Sequence, residues 1–406
     1  MTIPHNYSRL KIVIIPVILI TIISLRMSDY LSFKRQPYLS LNYCPIERSF
    51  IYKNIMINLP SSYPTQNCYL VQGTKNLDKY GRLTLASIKI APLPNPSLTL
   101  KTKFKIESLA FKTRDRLSLV FKRNLPEPQV SLLSGIVLGS KSKLEKGLYQ
   151  KLQDTGMLHV VVASGYNLTV ISQHPVDFLS WWISRKPALI AGWILIWSYA
   201  FISGAQPPII RAVLIVSLVY LAQFLGKKFN TPRALLAVFI IMVLWDPSLV
   251  ENISFQLSFG AMTGILLFSP LIAQRIKLPI VSSVLAESLG SQLVVLPIIA
   301  WHFSRISPLS PLINILLLPM VPFITQIGLI SLAVSIVKPL SILLIYLSFP
   351  LLHIFLKVID YFSAFSFASL EVKINVWLIL GYLLLLLYVL RKTIWIKQDK
   401  NDKIHP

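Results

Sequence analysis

The sequence predicts a polytopic α-helical membrane protein with a small β domain near its N-terminus. Hydrophobic residues make up 54% of the 406 residues and charged residues only 14%, which is too apolar for a soluble basic protein. Stretches without charge recur along the chain, and a membrane-spanning helix needs about 20 such residues. About half of the 40 Lys and Arg lie between residues 27 and 155, where a strand-like alternation precedes most of the apolar stretches.

Apolar stretches predict about ten transmembrane helices. The seventh contains Glu287 as its one charged residue, and the eighth contains four prolines, which predict a broken helix or half-helix followed by a span. The ten stretches are residues 12–25, 157–171, 187–204, 209–226, 234–245, 253–273, 281–300, 308–337, 340–355 and 374–390.

The basic residues between the spans predict the orientation. Residues 1–26 resemble a signal peptide, but no small-residue cleavage site precedes Arg26, so an uncleaved transmembrane helix is expected. Lys and Arg cluster at alternate connections, and the positive-inside rule assigns that side to the cytoplasm, with Arg305 and Lys357 as exceptions on the outer side. Both termini, including the basic tail 391–406, are then cytoplasmic, and residues 27–155 lie outside.

Residues 38–109 form the predicted β domain. From residue 98 to residue 106, apolar residues alternate with Lys101, Lys103 and Lys105, a period typical of a strand. The three lysines would project from one face and attract either DNA phosphates or anionic lipid headgroups. From residue 112 to residue 153 the pattern turns helical and predicts amphipathic helices on the membrane surface.

The only two cysteines, Cys44 and Cys68, fall in the predicted β domain. Outside the cytoplasm they can form a disulfide, which would contribute about 3 kcal/mol by loop closure. The alternative is two buried free thiols. Cys and His nowhere show metal-ligand spacing, so no metal or cofactor is expected.

Four stretches carry sets of motif residues in a fixed order along the chain. Residues 155–165 read TGMLHVVVASG, and residues 207–212 read PPIIRA. Residues 246–270 contain DP, SFQLSF and SP in order. The fourth stretch carries Glu287, Gln292, Pro297, His302, Phe303, Pro311, Asn314 and Pro319. Together the four stretches resemble the ComEC family of competence proteins, inner-membrane channels through which transforming DNA enters as a single strand.

The resemblance implies a domain arrangement. Residues 112–390 would form the competence-type channel in the cell (inner) membrane, and residues 27–111 the family's extracytoplasmic OB-like domain. Asn167 stands where the family usually has a second histidine. Larger members continue into a metallo-β-lactamase-like domain, whose His-x-His-x-Asp-His motif this sequence lacks. A short form is therefore expected, served by a separate nuclease.

Polar residues within the apolar stretches are the candidates for a DNA path. Ser164 and Asn167 share a helix face at i, i+3, where they line a pore or hold helices together. Glu287 marks either a pathway or a buried ion pair, with Arg211 as its partner. The full set is His159, Ser164, Asn167, Arg211, Gln256, Glu287, Gln292 and Asn314.

Three classes of function stay open. A DNA channel without enzymatic activity is implied by the resemblance, and because the sequence has no nucleotide-binding motif, a separate cytoplasmic ATPase or helicase would pull the strand. A secondary transporter of a lipid-linked or small anionic substrate would also use Glu287 and the broken helix. An intramembrane hydrolase would need Ser164 beside His159, yet five helical positions place them about 140° apart.

Overall fold

The computed structural model describes residues 22–36, 38–43, 49–52, 55–58, 68–77, 83–93, 97–139, 144–161, 165–276, 279–372 and single positions from 375 to 391. The described chain is mainly helical and divides into two compact units. The first unit holds Met1–Leu119 and Leu168–Phe255, and the second holds Val120–Asn167 and Gln256–Pro406. Most of the predicted first span lies outside the described residues.

Helices account for most of both units. In chain order they are α1 (residues 22–35), α2 (Leu98–Lys122), α3 (Gln129–Leu138), α4 (Lys146–Asp154), α5 (Leu158–Val161), α6 (Gly165–Leu179), α7 (Arg185–Ile202), α8 (Pro207–Phe224), α9 (Thr231–Trp245), α10 (Ile253–Ala273), α11 (Pro279–Phe303), α12 (Ser310–Leu317), α13 (Val321–Ala333) and α14 (Lys338–Ser363). Two short 3₁₀ helices, Pro247–Glu251 and Leu318–Met320, precede α10 and α13.

The first unit contains a five-stranded sheet in the segment predicted to be β. Its strands are β1 (Tyr38–Tyr43), β2 (Ser49–Tyr52), β3 (Ile55–Asn58), β4 (Tyr69–Leu77) and β5 (Leu83–Pro92). Their order is β1-β4-β5-β3-β2, with β3 and β5 parallel and the other neighbours antiparallel. Alternate residues such as Leu39 with Leu41, and Tyr69 with Val71, meet in one apolar core.

The strand predicted for residues 98–106 is wrong, because these residues begin the helix α2. Ala110, Ser118 and Phe121 are buried at helical spacing further along α2, and no Gly or Pro interrupts residues 98–122. Burial along one helical face therefore outweighed a short two-residue alternation. The three lysines at 101, 103 and 105 share no strand face. On a helix, Lys101 and Lys105 lie on one side and position 103 lies opposite.

The prediction of surface helices in residues 112–153 is wrong for α3, whose ten residues are all buried. A Cβ at Gly328 of α13 would lie 2.6 Å from the Val137 side chain, so α13 packs closely on α3. Beside its apolar residues, α3 carries small or uncharged polar ones such as Ser134, and it lacks the charged face that a surface helix needs. The amphipathic helix of this region is α4, which buries Leu148 and Leu152.

Within the described residues, five helical segments are long and apolar enough to cross a membrane. They are Pro207–Phe224, Ile253–Ala273, Ser282–Phe303, Ser310–Ala333 and Lys338–Ser363. Shorter apolar helices are Gln129–Leu138, Thr231–Trp245 and Trp377–Leu386. The break predicted in residues 308–337 is confirmed, since the 3₁₀ turn Leu318–Met320 separates α12 from α13. Of the stretch predicted as one span at 157–171, the structure describes the helical segments α5 and α6, and residues 162–164 lie outside the described residues.

Candidate functional site

The second unit is built around a close crossing of α10 and α11. A Cβ at Gly264 would lie 2.3 Å from the carbonyl oxygen of Gly290, so the two backbones touch where these glycines meet. A Cβ at Gly260 would lie 3.3 Å from Ile298. Small residues allow this contact between membrane helices, and the crossing places the polar groups of α10 beside those of α11.

One polar pair lies near one end of this crossing. The His302 Nε2 of α11 donates to the Gln256 Oε1 of α10 at 3.1 Å, and both side chains are half-buried. Gln256 was a predicted path residue, whereas His302 entered only as part of the fourth family-like stretch. The pair fixes both side chains at the end of two long apolar helices.

A second polar pair joins α11 to the half-helix α12. Asn314 is 5% exposed, and its Nδ2 donates to the Ser288 Oγ at 2.8 Å. Its Oδ1 is also buried and accepts no hydrogen bond in the described part of the chain. A buried acceptor without a donor is costly, so a water or a passing polar group would be bound there.

The Asn314 to Ser288 bond also shows where α12 lies. Ser288 is fifteen residues before Phe303, which is about 22 Å along α11 at 1.5 Å per residue. The chain after Phe303 therefore runs back along α11 before Asn314 is reached. Residues 304–309 of this returning segment are not α-helical. Non-helical backbone at membrane depth is tolerated only against protein or a water-filled cavity.

A tight turn from the first family-like stretch packs on the start of α12. Gly156 has φ +74, which L side chains rarely adopt, and a Cβ there would lie 2.8 Å from the Ser310 side chain. His159 is exposed, and its Nδ1 donates to the Gly156 carbonyl oxygen at 2.8 Å. The Ser307 Oγ beside this turn is buried and accepts no hydrogen bond from the described residues.

Ion pairs gather at the same end of the unit. Arg305 lies 3.7 Å from Asp154 and 3.3 Å from Glu371, and Lys151 lies 2.8 Å from Asp360. The strands β6 (Arg305–Ile306) and β7 (Leu370–Glu371) pair antiparallel beside them. These partly exposed pairs contribute little stability each, but they fix the connection after α11 against α4 and the connection after α14.

The remaining predicted path residues have separate outcomes. Glu287 of α11 has an exposed side chain, and Gln292 is half-buried on the same helix. Arg211 belongs to α8 in the first unit, so its pairing with Glu287 stays a prediction. Asn167 lies in the first turn of α6, and Ser164 lies outside the described residues.

The predicted DNA-binding face and disulfide have separate outcomes. Lys101 and Lys105 are exposed on α2, and Lys103 belongs to the same helix. Cys68 is disulfide-bonded in the structure, and Cys44 lies outside the described residues.

The sequence indicated several polar residues of the site but not the residues with which they form hydrogen bonds or ion pairs. Ser288 adjoins Glu287 and accepts a hydrogen bond from Asn314, and no feature of the sequence indicates that pairing. Arg305 stood out as a basic residue on the wrong side for the charge rule, and that exception was the signal of its role in binding Asp154 and Glu371.

Comparison with known proteins assigns most of the chain, with parts of both units, to one family. The family model described as Competence protein matches residues 136–395. ComE operon protein 3 of Bacillus subtilis (strain 168) is 27% identical over 236 residues, which cover 58% of this chain and 30% of that protein. Competence protein ComA of Neisseria gonorrhoeae is 24% identical over 207 residues, covering 47% of this chain and 28% of that protein.

A third relative is named for recombination. Recombination protein 2 of Haemophilus influenzae (strain ATCC 51907 / DSM 11121 / KW20 / Rd) is 23% identical over 178 residues, covering 42% of this chain and 23% of that protein. The chain therefore spans less than a third of the length of these relatives. No solved structure matches it significantly. Since the family match covers well over half of the chain and includes both polar pairs and the Gly156 turn, the chain belongs to the Competence protein family.

Proposed function

We propose that this protein is a channel for the uptake of single-stranded transforming DNA across the inner membrane in natural competence. Family membership and the names of two relatives, ComE operon protein 3 and Competence protein ComA, support this role. The observation that carries the proposal is the buried pair of Asn314 and Ser288, with the unpartnered Asn314 Oδ1 at the half-helix α12. Polar groups inside membrane helices are expensive and usually mark a substrate path.

The proposed path follows the second unit's polar residues. Gln256 and His302 lie at one end of α10 and α11, and Asn314 with Ser288 lies about 20 Å further along α11. A single strand presents bases and phosphates that form hydrogen bonds. The amides and hydroxyls of these residues can bind those groups in place of water. No reaction is assigned to these residues, so the proposed protein is a conduit and not an enzyme.

The side on which DNA arrives is proposed from contacts within each unit. In the second unit, Arg305 meets both Asp154 and Glu371, and the charge rule places all three residues outside. In the first unit, Lys34 bonds Glu251 at 2.8 Å, again between segments predicted to be outside. This agreement supports ten spans with both termini in the cytoplasm.

The sheet supports an OB-like outer domain. Its order β1-β4-β5-β3-β2, with β3 and β5 parallel, is that of a five-stranded Greek-key barrel opened between β1 and β2. OB-folds bind oligonucleotides on such sheets. We therefore assign DNA reception to residues 27–92, which is shorter than the β domain predicted from the sequence.

Partner proteins follow from what the channel needs. The sequence contains no G-x-x-x-x-G-K-[ST] phosphate loop, so the pulling force is assigned to a cytoplasmic DNA-translocating ATPase or helicase. Degradation of the second strand is assigned to a separate nuclease. Anionic lipids are the expected neighbours of the basic residues at the predicted cytoplasmic connections.

A second candidate is a secondary transporter of a lipid-linked or small anionic substrate. The broken helix α12–α13 and the exposed Glu287 of α11 favour it, because transporters place substrates at interrupted helices. It differs from the channel in one measurable way: loss of the chain would leave DNA uptake intact.

The test is uptake of labelled DNA into a nuclease-resistant form by a strain that lacks this chain. We expect the deletion to abolish uptake and the unchanged chain to restore it. Asn314→Ala should reach the membrane in normal amount, since an interhelical hydrogen bond averages about 0.6 kcal/mol, yet restore uptake several-fold less. Ser348→Ala is the matched control, because the buried Ser348 Oγ bonds only its own helix at Ile345 among the described residues. Normal uptake in the deletion strain would contradict the channel.

A further inference from the structure

Exposed basic residues run in a line along α2. At 100° per residue, Lys101, Lys105, Lys112 and Arg116 point within about 60° of one another. They cover about 22 Å of helix at 1.5 Å per residue, and all four side chains are exposed. We call these four residues the basic stripe.

The rest of α2 leaves the basic stripe free. Ala110, Ser118 and Phe121 are buried on the opposite side, so the helix is held by its other face. Its two acids, Glu107 and Asp115, are half-buried and fall outside the stripe. Within the described part of the chain, none of the four stripe residues forms an ion pair.

A membrane surface fits this face poorly. A helix adsorbed on lipid needs a continuous apolar sector, with its cations on the other face. At 100° per residue, the exposed Leu98 and Leu119 of α2 point within the stripe itself. The exposed Leu109 and Ile106 point about 20° and 80° beyond its edge, so the apolar residues overlap the cations and do not face away from them. Lying on a bilayer would therefore press the cations toward the acyl chains.

A line of phosphates fits the basic stripe well. The four cations follow one another at about 6, 10 and 6 Å along α2, and nucleic acids carry closely spaced backbone charges that exchange counterions for Lys and Arg. We propose that the basic stripe of α2 is a docking site for the phosphate backbone of nucleic acid. The identity of the ligand rests on the proposed function, whereas the site itself is inferred from the positions of the four exposed cations on α2. The site holds the strand before it reaches the membrane helices.

Binding is measured with the full chain in nanodiscs of phosphatidylcholine, by anisotropy of a labelled oligonucleotide of about 30 nucleotides in a KCl series. Each phosphate contact contributes about 0.7 to the slope of log affinity against log salt for a single strand. Changing Lys105, Lys112 and Arg116 together to Gln should lower the slope by about 2 and weaken binding at low salt. A duplex of the same sequence is a second probe, for which the fall should be about 2.7.

The control removes three exposed lysines elsewhere: Lys146→Gln, Lys228→Gln and Lys357→Gln. An equal loss in this control would show an effect of net charge and overturn the site. An unchanged slope in the stripe variant would also overturn it. If phosphatidylglycerol nanodiscs stabilise the unchanged chain but not the stripe variant, while DNA binding is unaltered, the stripe binds lipid and the proposal fails. Normal DNA uptake in the deletion strain would instead refute the proposed function and leave the binding result standing.

Discussion

At the scale of single residues, the sequence predicted one member of each polar pair but not the other. Gln256 and Asn314 could be singled out from the sequence, because an amide in a long apolar stretch is costly without a bond. Their partners His302 and Ser288 could not, since the pairing depends on how α10, α11 and α12 cross. Polarity is visible in a sequence, whereas the partner is a property of packing.

Glu287 gives a residue-scale prediction in which two hypotheses differ. If it lines a wet path, Glu287→Gln removes a charge but keeps the shape, so membrane abundance stays normal while DNA uptake changes. If it is bound to Arg211, the same change leaves a buried guanidinium without its partner, and such a loss costs about 3 to 5 kcal/mol. The exposed side chain of Glu287 leads us to expect the first result.

The measurement compares Glu287→Gln, Arg211→Gln and the double variant by membrane abundance and DNA uptake. Rescue of abundance in the double variant would favour the ion pair. Normal abundance with full uptake in Glu287→Gln would defeat both hypotheses.

At the scale of elements, hydropathy predicted the long helices better than periodicity predicted the short ones. The stretch 253–273 coincides with α10, because a membrane helix is set by local composition. The strand predicted at 98–106 failed because α2 is fixed by contacts of residues further along it, such as Phe121. The surface-helix prediction failed for α3 for the same reason, since the burial of α3 depends on α13.

The crossing of α10 and α11 gives an element-scale prediction. Gly264→Ala places a methyl group 2.3 Å from the Gly290 carbonyl oxygen, so the helices must separate. Overpacking of this kind costs about 1 to 3 kcal/mol, which should lower the thermal unfolding midpoint in detergent.

Gly147→Ala in α4 is the control, because a Cβ there meets nothing within 4 Å. It should stabilise the helix slightly, as Ala is a better helix former than Gly. Equal midpoints for the two variants would mean that the glycine contact does not hold α10 and α11 together.

At the scale of the whole molecule, membrane sidedness is the prediction with the widest consequences. Reporter fusions after Gly226 and after Lys392 should report cytoplasm, and a fusion after Lys101 should report the outside, because Lys and Arg are retained on the cytoplasmic side. An outside signal at Lys392 would require an odd number of spans. Five of the ten predicted spans correspond to the long apolar segments of the described chain. Sidedness cannot follow from composition alone, since it depends on every preceding span.

The small ribbon of β6 and β7 limits how α12 can move. It ties Ile306 to Leu370, so α12, α13 and α14 lie on a closed circuit of about 64 residues whose two ends are fastened together. Closing a free loop of that length would cost about 4 kcal/mol of chain entropy. The start of α12, four residues after Ile306, therefore stays anchored beside the connection after α14 for as long as the ribbon remains paired.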